Sequence, residues 1–369
     1  MLRMDRQALR RSIGRTLLVG IPAPEIDAPT RDILTRLEVG GVILFRRNVG
    51  EVKPLAALTA ELRGLPSQPL VAIDHEGGRV LRVGAPFTTF PAMATVGATG
   101  DAEIAEQVGY AMGRELAAVG IDLNFAPVLD VHSNPANPVI GDRAFSDAPS
   151  VVATMGVAFM RGLQAGGVLA CGKHFPGHGD TEVDSHLALP TVRRDRSELD
   201  RVELPPFCAA IAAGIPLIMT AHVCYPALDP QRPATLSPPI LRALLREQLD
   251  FRGVVVSDDL EMRAISGHHD IGVAAVATIA AGVDLLSICA DLRNAERAAE
   301  AIERAVIDKQ LDLAVLEAAA DRLRALKRPV ARDRLTPADL PVAAHAALNQ
   351  RLRDAPPALK KGGSRGISG

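Results

Sequence analysis

Apolar residues gather in short runs along this chain, and each run is followed by a stretch with helical periodicity. Eight runs stand out, at residues 17–21, 41–45, 70–74, 122–125, 168–172, 217–220, 253–257 and 283–289. Asp101 can cap a helix that carries Ile104, Val108, Met112 and Leu116 on one face and stops at Gly120. Ser150 can cap the next, with Val152, Met155, Phe159 and Leu163 inward and Gly166 at its end. Ser237-Pro238 opens another, proline being tolerated in a first turn. Helical patterns at 271–281, 293–307 and 313–327 follow. Strands alternating with helices imply parallel βαβ units. Eight units of this kind predict an α/β protein with a (β/α)8 TIM-type barrel, a fold of ~250 residues before insertions.

The predicted barrel covers residues 1–330. Beyond Pro329 the pattern weakens, broken by Pro337, Pro341, Pro356 and Pro357, and residues 360–366 have no apolar content. Residues 331–369 are therefore expected to form a short C-terminal extension, partly disordered, with a loosely packed helix or two and with His345 facing solvent.

Composition narrows the function. The 369 residues are 48% hydrophobic and carry a formal net charge of -2, which gives no sign of a nucleic-acid or anionic-membrane partner. Cys171, Cys208, Cys224 and Cys289 are widely spaced and read as small core residues. No apolar run approaches the ~20 residues needed to span a bilayer. Arg10, Arg11 and Arg15 precede an apolar stretch, but Pro22 and Pro24 end it early and no small-residue cleavage site follows. The stretch reads as the first strand, and a cytoplasmic location is expected.

In such a barrel the chemistry sits at the C-terminal ends of the strands. The polar residues there are Asp74 to Arg82 after the third strand and Asp130, His132 and Gly141 to Phe145 after the fourth. His222 follows the sixth, Ser257 to Met262 the seventh, and Asp291 and Arg293 the eighth. After the fifth comes the densest stretch, residues 173–186, which holds three of the nine histidines, three carboxylates and a lysine. Several of these groups also have structural readings. Asp258-Asp259 could cap a helix, Gly77-Gly78 could be a tight turn, and Arg82, Arg143 and Lys173 could sit in ion pairs. His268-His269 is placed on an exposed loop without a role.

The dense loop admits two kinds of chemistry. His174, His178, Asp180, Asp184 and His186 are all possible metal ligands, as in a metal-dependent barrel hydrolase. Their spacing matches no helical metal motif. Alternatively, Asp184 and His186, two residues apart, can form a carboxylate–imidazole dyad for general acid/base work. A nucleophile is then needed on the same rim, and Asp258 is the best-placed carboxylate.

Lys173-His174-Phe175-Pro176-Gly177-His178-Gly179-Asp180-Thr181, with Asp184-Ser185-His186, resembles the signature loop of family 3 glycoside hydrolases of the β-N-acetylglucosaminidase type. Asp74 to Val80, Gly141 to Phe145 and Ser257 to Met262 resemble that family's other site segments, in order, and the resemblance spans about residues 10–330. It implies retaining hydrolysis of terminal β-linked N-acetylglucosamine, from anhydro-muropeptides in cell-wall recycling, with no metal and no cofactor. It implies Asp258 as nucleophile, His186 as acid/base, Asp184 as its partner and Asp259 as structural support. Asp74, Arg82, Arg143, Lys173 and His174 would hold the sugar. A histidine acid departs from the usual carboxyl pair of glycosidases and leaves transfer to phosphate open. His75 stands where many relatives carry glutamine, and the stretch after the barrel is too short for the second α/β domain many of them have. A β-glucosidase or β-xylosidase of the same family is the nearest alternative, and a non-catalytic sugar-binding barrel would need the nucleophile or the acid to be missing. The oligomeric state is not legible.

Overall fold

The computed structural model describes residues 5–185, 187–326, 328–331 and 333–354. Eight parallel strands close into a barrel: β1 (Leu17–Gly20), β2 (Gly41–Leu44), β3 (Leu70–Ile73), β4 (Leu123–Asn124), β5 (Leu169–Phe175), β6 (Leu217–Thr220), β7 (Val254–Asp259) and β8 (Leu285–Ile288). Each pairs with its neighbours in sequence, and β8 pairs with β1, Leu17 facing Leu286. Alternate residues point to opposite faces of a strand. Leu18, Ile43, Ala72, Leu123, Leu169 and Leu217 fill the barrel interior, whereas Leu17, Val42, Val71 and Ile218 turn outward into the layer beneath the helices. Both faces are covered, so the strands read as unbroken apolar runs rather than as alternations.

All eight expected strands are present, with shifted ends. β4 keeps only two residues. β5 runs on through Lys173 and His174 because Lys173 N–H donates to Pro127 O (3.1 Å) and Lys173 O accepts from Leu129 N–H (2.6 Å). β7 includes Asp258 and Asp259. Those chemistry-bearing residues therefore stand on the ends of rigid strands, where side chains are held more tightly than in loops.

Asp101 caps helix Ala102–Ala118 as expected, accepting from Glu103 N–H (2.9 Å). The next helix begins at Pro149, one residue before Ser150, which is not its cap. Proline's fixed φ suits the first helical position. The two helices pack closely. A Cβ on Gly162 would lie 2.0 Å from Glu106 O, so only glycine permits the approach. A short antiparallel ribbon, Cys224–Tyr225 with Asp229–Pro233, rises after β6 and supports the β5 loop.

Three expectations are corrected. Cys208 is exposed on helix Leu204–Ala212, because that helix buries Phe207 and Ala210 on its opposite side. The extension is not loosely packed where it is described: helix Ala343–Asp354 buries Leu348 and Leu352 in the main core. His345 is buried as well, its Nδ1 2.8 Å from Glu115 Oε1, because that carboxylate gives the ring a partner away from water. The tail beyond Asp354 lies outside the described residues.

Candidate active site

A cavity of about 320 Å³ opens at the C-terminal ends of the strands. Asp74, Arg82, Arg143, Lys173, His174 and Asp258 all line it, although they come from four different strand ends. Six of the eight expected site residues thus converge. Ser185 also reaches the cavity wall, tied to the segment after β7 by Ala264 N–H donating to Ser185 O (3.3 Å). Asp184 beside it is half-buried. His186 lies outside the described residues.

On one side of the cavity, charges interlock. Lys173 Nζ sits 2.8 Å from Asp74 Oδ1 and 2.5 Å from Glu76 Oε1. Arg143 clamps Glu76 with two 2.8 Å bonds, from Nε and Nη2. Arg82 Nη2 lies 3.4 Å from Asp74 Oδ2, and its guanidinium covers the Phe45 ring at 5.6 Å. Burial works against ionisation of Glu76, but the adjacent Arg143 and Lys173 outweigh it and hold the carboxyl far below its ordinary range. Paired and bonded in this way, buried charges keep a fixed geometry. Asp74 and Arg82 are the partly exposed ends of this network and face the cavity. A sugar's hydroxyls need such a fixed set of donors and acceptors.

A second cluster centres on Asp130, which is fully buried. Its Oδ1 accepts from the backbone N–H of His174 (3.1 Å) and of His178 (2.6 Å), and its Oδ2 lies 2.7 Å from His174 Nδ1. Burial opposes the charge, yet these contacts keep the Asp130 carboxyl below its usual value. With Nδ1 committed, Nε2 is the His174 nitrogen left for the cavity. His178 binds Thr181 Oγ1 through Nδ1 (2.8 Å) and Ser185 Oγ through Nε2 (3.2 Å). Its burial pulls the ring down to about 4, so it is neutral at pH 7. Asp180 pairs with Arg194 at 3.1 Å. Three of the five candidate metal ligands are thus turned to other partners. Among the described residues no group of three or more His, Cys, Asp or Glu side chains is placed to hold a metal ion.

Across the cavity, Asp258 stands one residue from the end of β7 with its carboxyl partly open to the space. Oδ1 accepts from Asp259 N–H at 2.8 Å. Burial would raise its pKa, but the electrostatic influence of His222, His174 and Lys173 brings it below the ordinary value. Asp258 is therefore a carboxylate at neutral pH. Asp259 differs: Oδ1 accepts from Glu261 N–H (3.1 Å) and Cys289 N–H (3.2 Å), and burial pushes the group up to about 7. His222 is buried below, with Nε2 2.9 Å from Asp259 O and Nδ1 2.8 Å from Thr235 Oγ1. It braces the strand end.

Sequence reasoning gave no site role to Glu76, Asp130 and Glu203, and weighed His178 only as a metal ligand. Glu76 lay inside a quoted segment, but its partner Arg143 is 67 positions away. Glu203 gave no signal. It is buried behind Gly177, where a Cβ would come within 2.4 Å of its Oε2. Tyr225 OH holds the same turn, donating to Gly177 O at 2.5 Å.

Burial pushes Glu203 up to about 8 from its ordinary 4.5, and the charges of Asp130 and Asp180 add to the rise against Arg194. A raised folded-state pKa means the folded protein holds the proton longer than the unfolded chain. Stability from this group is complete below about pH 4.5 and is lost as pH climbs through about 8. Glu203→Gln keeps the neutral shape. The melting temperature of this variant relative to the parent should therefore rise steadily between pH 5 and 8. A difference constant with pH would mean that Glu203 is charged throughout.

With this geometry in hand, the chain can be set beside known proteins. The sequence profile of the glycosyl hydrolase family 3 N-terminal domain matches residues 8–326. A β-hexosaminidase of Pseudomonas aeruginosa is 43% identical over 293 residues, which is 78% of this chain and 86% of that protein. A family 3 β-N-acetylglucosaminidase from Paenibacillus superposes with a TM-score of 0.89 at 41% identity, covering 93% of this chain and 68% of the other. NagZ from Neisseria gonorrhoeae, solved in complex with N-trifluoroacetyl-D-glucosamine, superposes with a TM-score of 0.79 at 34% identity, covering 91% and 96%.

Proposed function

The chain belongs to glycosyl hydrolase family 3, and from that premise we propose how its cavity works as a β-N-acetylhexosaminidase. It is a glycosidase that removes terminal β-linked N-acetylglucosamine. The observation that carries the mechanism is Asp258, a carboxylate held charged in spite of burial, across one cavity from the Asp74–Lys173–Arg82 network.

Asp258 attacks the anomeric carbon and forms a glycosyl-enzyme, while His186, with Asp184 as its partner, protonates the departing glycosidic oxygen. Water then enters as His186 takes its proton, and the product keeps the β configuration. Asp74, Lys173 and Arg82 hold the sugar's hydroxyls, and His174 presents Nε2 beside them. Arg143 acts one step behind, fixing Glu76 against Lys173. Because these groups are already bonded to one another, little ordering remains to be done when sugar binds. The natural substrate we infer is a muropeptide carrying non-reducing N-acetylglucosamine, handled during peptidoglycan recycling in the cytoplasm. No helix among the described residues is long and apolar enough to cross a membrane.

Aryl β-N-acetylglucosaminide and the matched β-glucoside, each assayed with and without chelator, test this reading. Fast cleavage of the first alone, unaffected by chelator, is the expected result. Equal rates on both would discard the N-acetyl specificity, and loss of activity with chelator would restore the metal reading of the β5 loop.

A further inference from the structure

The C-terminal helix Ala343–Asp354 does more than cover helix Ala102–Ala118. One of its side chains reaches the loop that follows β3 directly, and another reaches it through the Glu115 carboxylate of helix Ala102–Ala118. His345 Nδ1 lies 2.8 Å from Glu115 Oε1, and the same carboxylate accepts from Thr88 Oγ1 (2.7 Å) and Thr88 N–H (2.6 Å). His345, Glu115 and Thr88 are all buried. From the surface, Arg353 Nη2 donates to Thr89 O at 2.7 Å. Between them, Leu348 and Leu352 sit in the core.

The next residues press on the sugar-binding turn. Phe90 is buried, and its carbonyl accepts from Gly78 N–H at 3.0 Å. Gly77 and Gly78 have φ of 106° and 56°, and a Cβ on Gly77 would lie 2.7 Å from Pro91 O. The turn therefore lies flush against residues 90–92. It is closed by Glu76 N–H donating to Val80 O at 2.9 Å, and it joins Glu76 to Arg82. Every link from the C-terminal helix to the cavity is thus a direct contact.

We propose that His345 and Arg353 are positioning residues for the sugar-binding side of the cavity. The C-terminal helix sets the seat of the Gly77–Gly78 turn, and through it the placement of Glu76 and Arg82. This rests on the reading of Asp74 and Arg82 as sugar-binding groups. Asp258 stands on β7, on the other side of the cavity, so loosening the helix weakens binding of the sugar more than it slows bond cleavage.

The test uses the full-length chain with His345→Ala, His345→Asn and Arg353→Ala, well below each melting temperature. The readouts are KM and kcat on aryl β-N-acetylglucosaminide, the Kd of N-acetylglucosamine by calorimetry, and amide hydrogen exchange in residues 84–92. For His345→Ala, KM and Kd should rise about 5-fold with kcat nearly unchanged, a typical size for coupling through packed contacts. Exchange in 84–92 should quicken, and His345→Asn, whose amide can donate in place of Nδ1, should recover most of the loss. A lower melting temperature with KM, Kd and exchange unchanged would reduce the helix to packing and overturn the proposal. Should His345→Ala fail to fold, Arg353→Ala alters only a surface contact and must show the same split. If it does not, the proposal fails. A parent protein that neither cleaves the aryl substrate nor binds N-acetylglucosamine would overturn the sugar reading and the proposal together, and exchange in 84–92 would show which variants had still freed the loop.

Discussion

Replacing Asp258 with alanine should abolish turnover of aryl β-N-acetylglucosaminide, by a factor on the order of 10⁴–10⁶, the scale seen when a covalent nucleophile is removed. The fold should survive. Asp258 is partly exposed, and its carboxylate accepts one backbone bond, from its own neighbour Asp259. The variant leaves room beside the anomeric carbon for a small external nucleophile. Azide should restore cleavage of a substrate with a good leaving group, and it should give the α-glycosyl azide, because a single displacement inverts the anomeric centre. A variant that keeps most of the parent rate would remove Asp258 from the mechanism. The same assay at several substrate concentrations separates chemistry from binding: KM should move little, since the hydroxyl-binding network lies on the opposite wall.

How far the sequence led can be judged from particular residues. The barrel was legible because both faces of each strand are buried, which leaves continuous apolar runs that periodicity rules recognise. Strand ends were less so. Lys173 and His174 look like loop residues, polar and next to glycine and proline, yet they extend β5 through bonds to Pro127 and Leu129, which no local rule connects to them. The same gap hid the buried partners. Arg143 and Glu76 meet across 67 positions and His174 and Asp130 across 44. A single sequence shows each group and leaves the pairing unseen. His345 misled for a related reason. It lies in a polar, proline-broken stretch that suggests solvent, and only Glu115, on a distant helix, makes its burial favourable. The β5 loop was legible as a dense polar stretch, but what its turn at Gly177 fits against was not. Glu203 and Tyr225 press on Gly177 from behind, and neither belongs to a recognisable motif. The motif residues were those that face the cavity, and the residues that hold them in place were the ones missed.

His186→Ala carries the second large expected effect, and it tests the part of the site that rests on the sequence pattern. General acid/base catalysis contributes ~10²–10⁴-fold, and a loss of that size is expected for a substrate whose leaving oxygen must be protonated. For an aryl leaving group stable as an anion, glycosyl-enzyme formation needs no acid, so the loss in kcat/KM should shrink towards unity. The second step still needs a base, and the intermediate on Asp258 should then accumulate, visible as a burst of aryl product. The pH profile gives an independent sign. If His186 is the acid, one limb of the parent's bell should vanish in the variant. Asp184→Asn should keep both limbs and shift the His186 limb to lower pH, since removing an adjacent negative charge disfavours the protonated ring. Of the neighbouring histidines, His178 has both ring nitrogens bonded and stays neutral through the working range, whereas His174, bonded to Asp130 through Nδ1, turns Nε2 to the cavity. If His186→Ala loses the same factor on activated and unactivated substrates alike, the ring binds or orients the sugar, and the proton must come from another group on the rim.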